Sequence, residues 1–211
     1  FLLLLLLLFV FLIWNVLAGS VKLPVSEILE ILRGRGDGTQ SRILLQIRLP
    51  RLLSALILGG ALSVSGYLLQ TFFHNPIAGP FVLGISSGAK LCVSIVMILL
   101  LSRGLVSSSA VLIAAAFVGA MGSMGFVLAV SQKVKRMSML VICGVMIGYI
   151  CTAATDLLVT FADDSNIVNL HNWSMGSFSG MSWENVGTMA IVCGAALVLV
   201  FFLSKPIRAY Q

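Results

Sequence analysis

The sequence predicts an all-α protein: a polytopic transmembrane helix bundle of about six spans, with an irregular segment after the second. Composition is the first reason. Hydrophobic residues make up 59% of the 211 and charged residues 9%, where a soluble domain carries about a quarter charged. Mean hydropathy is +1.11, and no water-soluble fold of this length hides so much apolar surface. Run length is the second reason. Leu52 to Phe73 carries no charge, which is enough to cross about 30 Å of hydrocarbon at about 1.5 Å per residue. The third is the break that follows. His74-Asn75-Pro76 stops the helix, because proline keeps the preceding residue out of the α region. Gly79, Pro80, Gly84, Ser86, Ser87 and Gly88 then follow among apolar residues. Irregular backbone at membrane depth survives only inside protein or beside a water-filled cavity, so this stretch is a candidate wall of a pathway.

Span one runs from Phe1 to about Ala18, with Trp14 and Asn15 near its outer end, where tryptophan suits the interface. Its apolar run has no basic leader and no soluble body after it, so it reads as a span and not a signal peptide. In the connection that follows, Ser26 is a candidate N-cap, with Glu27 and Glu30 favoured by the helix dipole. Ile28, Leu29, Ile31 and Leu32 give one apolar face, the pattern of a short helix on the membrane surface. Arg33 to Gly38 imitates a phosphate loop but lacks the G-K-[ST] ending and a preceding strand. No other segment offers that motif, so the chain has no Walker-type route to ATP hydrolysis.

Span two starts at Pro50, a residue suited to the first turn of a helix, and ends at Phe73. Ser54, Gly59, Gly60, Ala61, Ser63, Ser65 and Gly66 predict a bundle-interior helix, since small residues let helices approach closely in lipid. Span three covers roughly Gly84 to Leu101. Span four covers about Ala110 to Val130, with Gly119, Gly122 and Gly125 as packing positions and Lys133, Lys135 and Arg136 beyond it. Span five runs from Met139 to Phe161, with Gly144 and Gly148 spaced small-x-x-x-small. Asp163, Asp164 and His171 fall in the next loop. Span six is about Val186 to Leu203.

Cys92, Cys143, Cys151 and Cys193 all sit in apolar runs and read as small packing residues. His74 and His171 lack metal-ligand spacing, so no metal site is expected. Neither is nucleic-acid binding, because the basic residues behind the net charge of +6 are scattered between spans. Lys90 and Asp156 lie within apolar surroundings, and such residues are functional candidates. A depth gap on the order of 10 Å argues against their pairing.

The order RLPR, a Gly/Ala/Ser-rich helix ending SGYLLQ, then NPIAGPFVLGISSGA, resembles the FecCD-type permease subunits of ABC importers for iron–siderophore complexes, haem and cobalamin. Trp173 to Trp183 also resembles that family's W-x-x-G-S-x-x-G-x-x-W segment. The likeness runs from about Val21 to the end, and Lys90 departs from it. It implies one transmembrane permease domain over 1–211, the N-terminal part of a longer chain, without the main ATPase-coupling helices. It further implies a second permease copy or paralogue, a cytoplasmic ABC ATPase, an extracytoplasmic solute-binding protein and an iron chelate as cargo in the cell membrane. The subunit would not be an enzyme and would hold no cofactor.

By the same resemblance, Arg48 and Arg51 receive glutamates of the binding protein. Three apart at a helix start, both can project from one side. Asn75, Pro76 and Ile77 meet Met137 and Ser138 to close a cytoplasmic gate, and Asp156 faces the pathway. The family orientation puts Lys133–Arg136 inside and Gly34–Gly38 outside. That leaves Lys22, Arg33, Arg35, Arg42, Arg48 and Arg51 facing outward, against the usual bias of basic loops toward the cytoplasm. An alternative class is an ion-coupled secondary transporter without an ATPase, which would use a broken helix and an intramembrane acid.

Overall fold

The computed structural model describes residues 1–35, 38–101, 108–134 and 137–203, with the backbone alone at Leu101 and Met137. Among the described residues every regular element is helical. Helix α1 is Leu2–Leu17 and α2 is Val25–Leu32. The short α3, Thr39–Arg42, passes into a π-helical turn, Ile43–Arg48, and then into α4, Leu49–Phe73. After the break come α5 (Ile85–Leu101), α6 (Ser109–Ser131), α7 (Met137–Thr160), α8 (Asp164–Met175) and α9 (Trp183–Phe202).

Each of the six expected spans is an apolar helix. Four are long and apolar enough to cross a membrane: Thr39–Phe73, Ser109–Ser131, Ser138–Thr160 and Trp183–Phe202. The first and third expected spans form shorter apolar helices, Leu2–Leu17 and Ile85–Leu100.

Several boundaries differ from the expectations. Span two does not begin at Pro50, because the helix is continuous from Thr39. Inside an α-helix a proline ring would clash with the carbonyl four residues back, and the wider π turn ahead of Pro50 opens that spacing. Helix α2 starts two residues earlier than read. Pro24 is its N-cap, its carbonyl accepting from the N–H groups of Glu27 and Ile28, and Ser26 falls inside the first turn. The expected loop with Asp163, Asp164 and His171 is the helix α8. Its acids stand at the N-terminus, where the dipole favours them, and Asn166 and Leu170 are buried.

The chain forms two compact units. One comprises residues 1–62 and the stretch that opens at Ser177, and the other is Ser63–Gly176. In the first, Leu23, Ile28, Ile31 and Leu44 make a small core with Val16 and Leu45 beside it. Leu29 and Leu32, the rest of the expected α2 face, stay exposed.

The second unit is built around α5, which packs on α6, α7 and α8. Phe73, Ala78, Leu83, Val127 and Leu140 form one buried cluster, and Val93, Met97 and Leu170 another. Close approach here depends on glycine. Gly84 has φ +71°, and a Cβ on it would lie 2.7 Å from the Gly144 oxygen and the Gly148 nitrogen. Gly88 meets Gly119 and Ser123 in the same way. The spacing of Gly144 and Gly148 therefore marks a true crossing. Gly60 and Gly66 of span two mark none among the described residues: a Cβ at either would meet nothing within 4 Å, and the same holds for Gly122 and Gly125 of α6.

Candidate functional site

Three places carry the residues singled out from the sequence. The first is the start of α4. Arg48 ends the π turn and is only 8% exposed. Its guanidinium donates to the carbonyls of Val16, Leu17 and Val21. Val16 and Leu17 end α1, so no later turn of that helix can satisfy their carbonyls, and a cation suits the negative end of its dipole; Val21 lies in the connection beyond it. Gly19 leaves the room, since any Cβ there would collide with the Arg48 guanidinium. Arg51, three residues on, is exposed.

The two arginines therefore do not project from one side as expected. That inference counted only helical spacing; the bonds to Val16, Leu17 and Val21 draw the Arg48 guanidinium away.

Beside this junction, Trp183 opens α9, and its indole Nε1–H donates to the Leu45 carbonyl at 2.8 Å. Ser182 fixes the helix start by accepting from the Asn185 N–H. Gln46, Ile47, Gly180, Met181, Ser182 and Trp183 line a cleft of about 410 Å³. The sequence marked Trp183 only as part of a family-like segment. Its bond to Leu45 spans 138 residues and leaves no local signal.

The second place is the break after α4. Proline at 76 predicts the helix end near Asn75, and the chain leaves the helix slightly earlier. His74 takes a left-handed conformation, φ 47°. The Asn75 N–H then donates to Gln70 O and the His74 N–H to Thr71 O, each at 3.2 Å. This paired closure is a Schellman motif. Asn75 then accepts from the Ile77 N–H through Oδ1 at 2.9 Å, and its carbonyl accepts from Ala78 N–H at 3.1 Å. Pro76 and Ile77 are exposed and Asn75 is half-buried.

Ser138 is exposed at the start of α7, and the side chain of Met137 lies outside the described residues, as do Lys135 and Arg136. The structure brings the two turns together indirectly: Phe73 and Ala78 on one side and Leu140 on the other share one buried cluster.

The third place is one face of α7. Asp156 is exposed, and its backbone carbonyl accepts from the Thr160 hydroxyl. Ile142, Met146 and Tyr149, at helical spacing below it, are exposed as well. Lys90, on α5, is half-buried. The Thr152 hydroxyl of α7 donates to Gly148 O at 2.9 Å and lies 3.4 Å from the Ser87 hydroxyl, from which it can accept, and this contact ties α7 to the first turn of α5.

Residues 5–211 match the FecCD transport family. The vitamin B12 import system permease protein BtuC of Klebsiella pneumoniae is 34% identical over 203 residues, covering 96% of this chain and 58% of its own. The hemin transport system permease protein HmuU of Yersinia pestis is 35% identical over 145 residues, covering 68% of this chain and 43% of its own. The chain thus spans about half the length of these curated relatives. Among solved structures, an ABC transporter assigned to the metal-chelate type, in an inward-facing conformation, superposes with a TM-score of 0.79. That match has 26% identity and covers 98% of this chain and 62% of the other.

Proposed function

The chain belongs to the FecCD transport family, and from that premise we propose that it acts as a permease subunit of an ATP-driven importer. The carrying observation is the family match along residues 5–211. The apolar helices and the break between α4 and α5, anchored by the buried Ala78 and Leu83, fit it. Similar chains are named for vitamin B12 and hemin import, so the cargo proposed is a large metal chelate: an iron–siderophore complex, haem or cobalamin. A second permease copy or paralogue, a separate cytoplasmic ABC ATPase and an extracytoplasmic binding protein complete the machine, seated in the inner or plasma membrane. ATP hydrolysis belongs to the ATPase. The family match does not favour the ion-coupled alternative.

Within this reading the α3–α4 end faces outward and the Asn75 turn faces the cytoplasm. Arg51, exposed, offers its fork of donors to a carboxylate of the binding protein. Arg48 stands beside it with its guanidinium engaged by α1, so its share in docking is to hold that end in place. Asn75, Pro76 and Ile77 face the start of α7, at Met137 and Ser138, as the inner gate. The α7 face with Asp156 lines the pathway.

The test is uptake by the full transporter in proteoliposomes. Uptake should need ATP and the ATPase. Arg51→Glu should weaken binding-protein docking several-fold, as expected when one partner of a desolvated interface pair is reversed. A disulfide between Asn75→Cys and Ser138→Cys should form and release with the nucleotide cycle. Uptake that follows an ion gradient without the ATPase would replace this reading with the ion-coupled one.

A further inference from the structure

A π-helical register sends each N–H to the carbonyl five residues back. Leu49 obeys it: its N–H donates to Leu44 O. The next donor in that register belongs to residue 50 and would serve Leu45 O. Residue 50 is proline, which has no N–H. Moreover, Pro50 is fully buried, so it fills that side of the turn without supplying a donor. The donor that does reach Leu45 O is the indole Nε1–H of Trp183, at 2.8 Å.

We propose that Trp183 is a positioning residue that supplies, from outside the helix, the hydrogen bond Pro50 deletes. The proline opens the turn and the indole closes the vacancy. Together they hold the wide turn at the point from which Arg51 leaves α4, and they fasten the first residue of α9 to it. Two separate motifs, the Leu-Pro-Arg of α4 and the tryptophan that opens α9, thereby become one device. Phenylalanine or leucine at 183 cannot replace it, because neither side chain carries a donor. The bond itself stands on geometry alone. Only its consequence for docking rests on the role given to Arg51.

A donor exchange tests it, in the assembled transporter in nanodiscs. Trp183→Phe keeps the ring and removes the donor. Pro50→Ala restores a main-chain N–H to the turn; whether the turn then stays π or tightens to α, Leu45 O acquires a main-chain donor. Trp183→Phe alone should speed amide exchange at residues 46–54 and weaken binding-protein affinity by about fivefold, the worth of one ordinary hydrogen bond. In the Pro50→Ala background the same substitution should change either reading by less than about twofold. Equal effects in both backgrounds would overturn the proposal. If the exchange rates show the coupling while Arg51→Glu leaves docking intact, the indole bond is supported and the docking role of Arg51 is the part that falls.

Discussion

The two units join helices by opposite means. In Ser63–Gly176 the helices meet where side chains are missing: Gly84 lies against Gly144 and Gly148, and Gly88 against Gly119. In the other unit they meet through side chains that reach main-chain carbonyls: Arg48 to the end of α1, and Trp183 to the turn before α4. Both answer the same difficulty, since lipid gives helices no hydrophobic reason to associate. The difference lies in what can give way. A crossing built of main-chain atoms has no part that can rotate aside. A guanidinium or an indole can exchange its carbonyl for water or for a partner protein. The glycine unit is thus suited to fix a broken segment in place, and the stitched unit to present an adjustable rim.

The comparison breaks most sharply at Gly84. Alanine there would carry a Cβ at φ +71° and 2.7 Å from main-chain atoms of α7. The left-handed conformation alone costs about 1–2 kcal/mol, and with the overlap a total loss of about 3 kcal/mol is expected. Thermal unfolding in detergent measures it, with Gly60→Ala as the control, where open space predicts a change within about 0.5 kcal/mol. A Gly84→Ala protein that melts like its parent would remove the basis of the contrast.

Arg48→Met comes next. It keeps length and loses every donor, leaving the carbonyls of Val16, Leu17 and Val21 unserved. About 2 kcal/mol is expected for hydrogen bonds from a charged donor. Because such bonds are exchangeable, the damage should stay local: faster amide exchange over residues 16–23 with unchanged protection in α5 and α7. Loosening throughout would show that the stitched unit is no more adjustable than the other.

The smallest effect runs the other way. His74 holds a left-handed φ of 47°, a position that helix ends commonly give to glycine. His74→Gly should therefore raise stability by up to about 1 kcal/mol, if relief of Cβ strain exceeds the entropy glycine adds to the unfolded chain. A lower melting temperature would mean that the histidine side chain contributes more than its strain costs.

How far these features are legible in the sequence varies for physical reasons. Apolar runs announce six helices because hydropathy needs no partner to be read. Gly144 and Gly148 announce a crossing, but so do the small residues of α4. Spacing describes a face without naming what lies against it. Pro50 reads as a helix start because its fixed φ and missing N–H suit a first turn; what makes it tolerable further in is the π turn, which local propensities do not encode. An α-helical count also puts Arg48 beside Arg51, and it cannot show that carbonyls near the end of α1 draw Arg48 away. Helix α8 is hidden because only Leu170 and Asn166 of its residues are buried, too few to give an apolar period.

The two fastenings at the start of α4 also differ in when they can form during synthesis. Arg48 and Val16 are 32 residues apart, so that bond can close as soon as α4 begins to leave the ribosome. Leu45 and Trp183 are separated by 138 residues, and Ser63–Gly176, the whole of the glycine-packed unit, is made in between. The rim is therefore half closed early and finished late. Until Trp183 emerges, the Leu45 carbonyl beside Pro50 must rely on water or on the cell's insertion machinery for its donor.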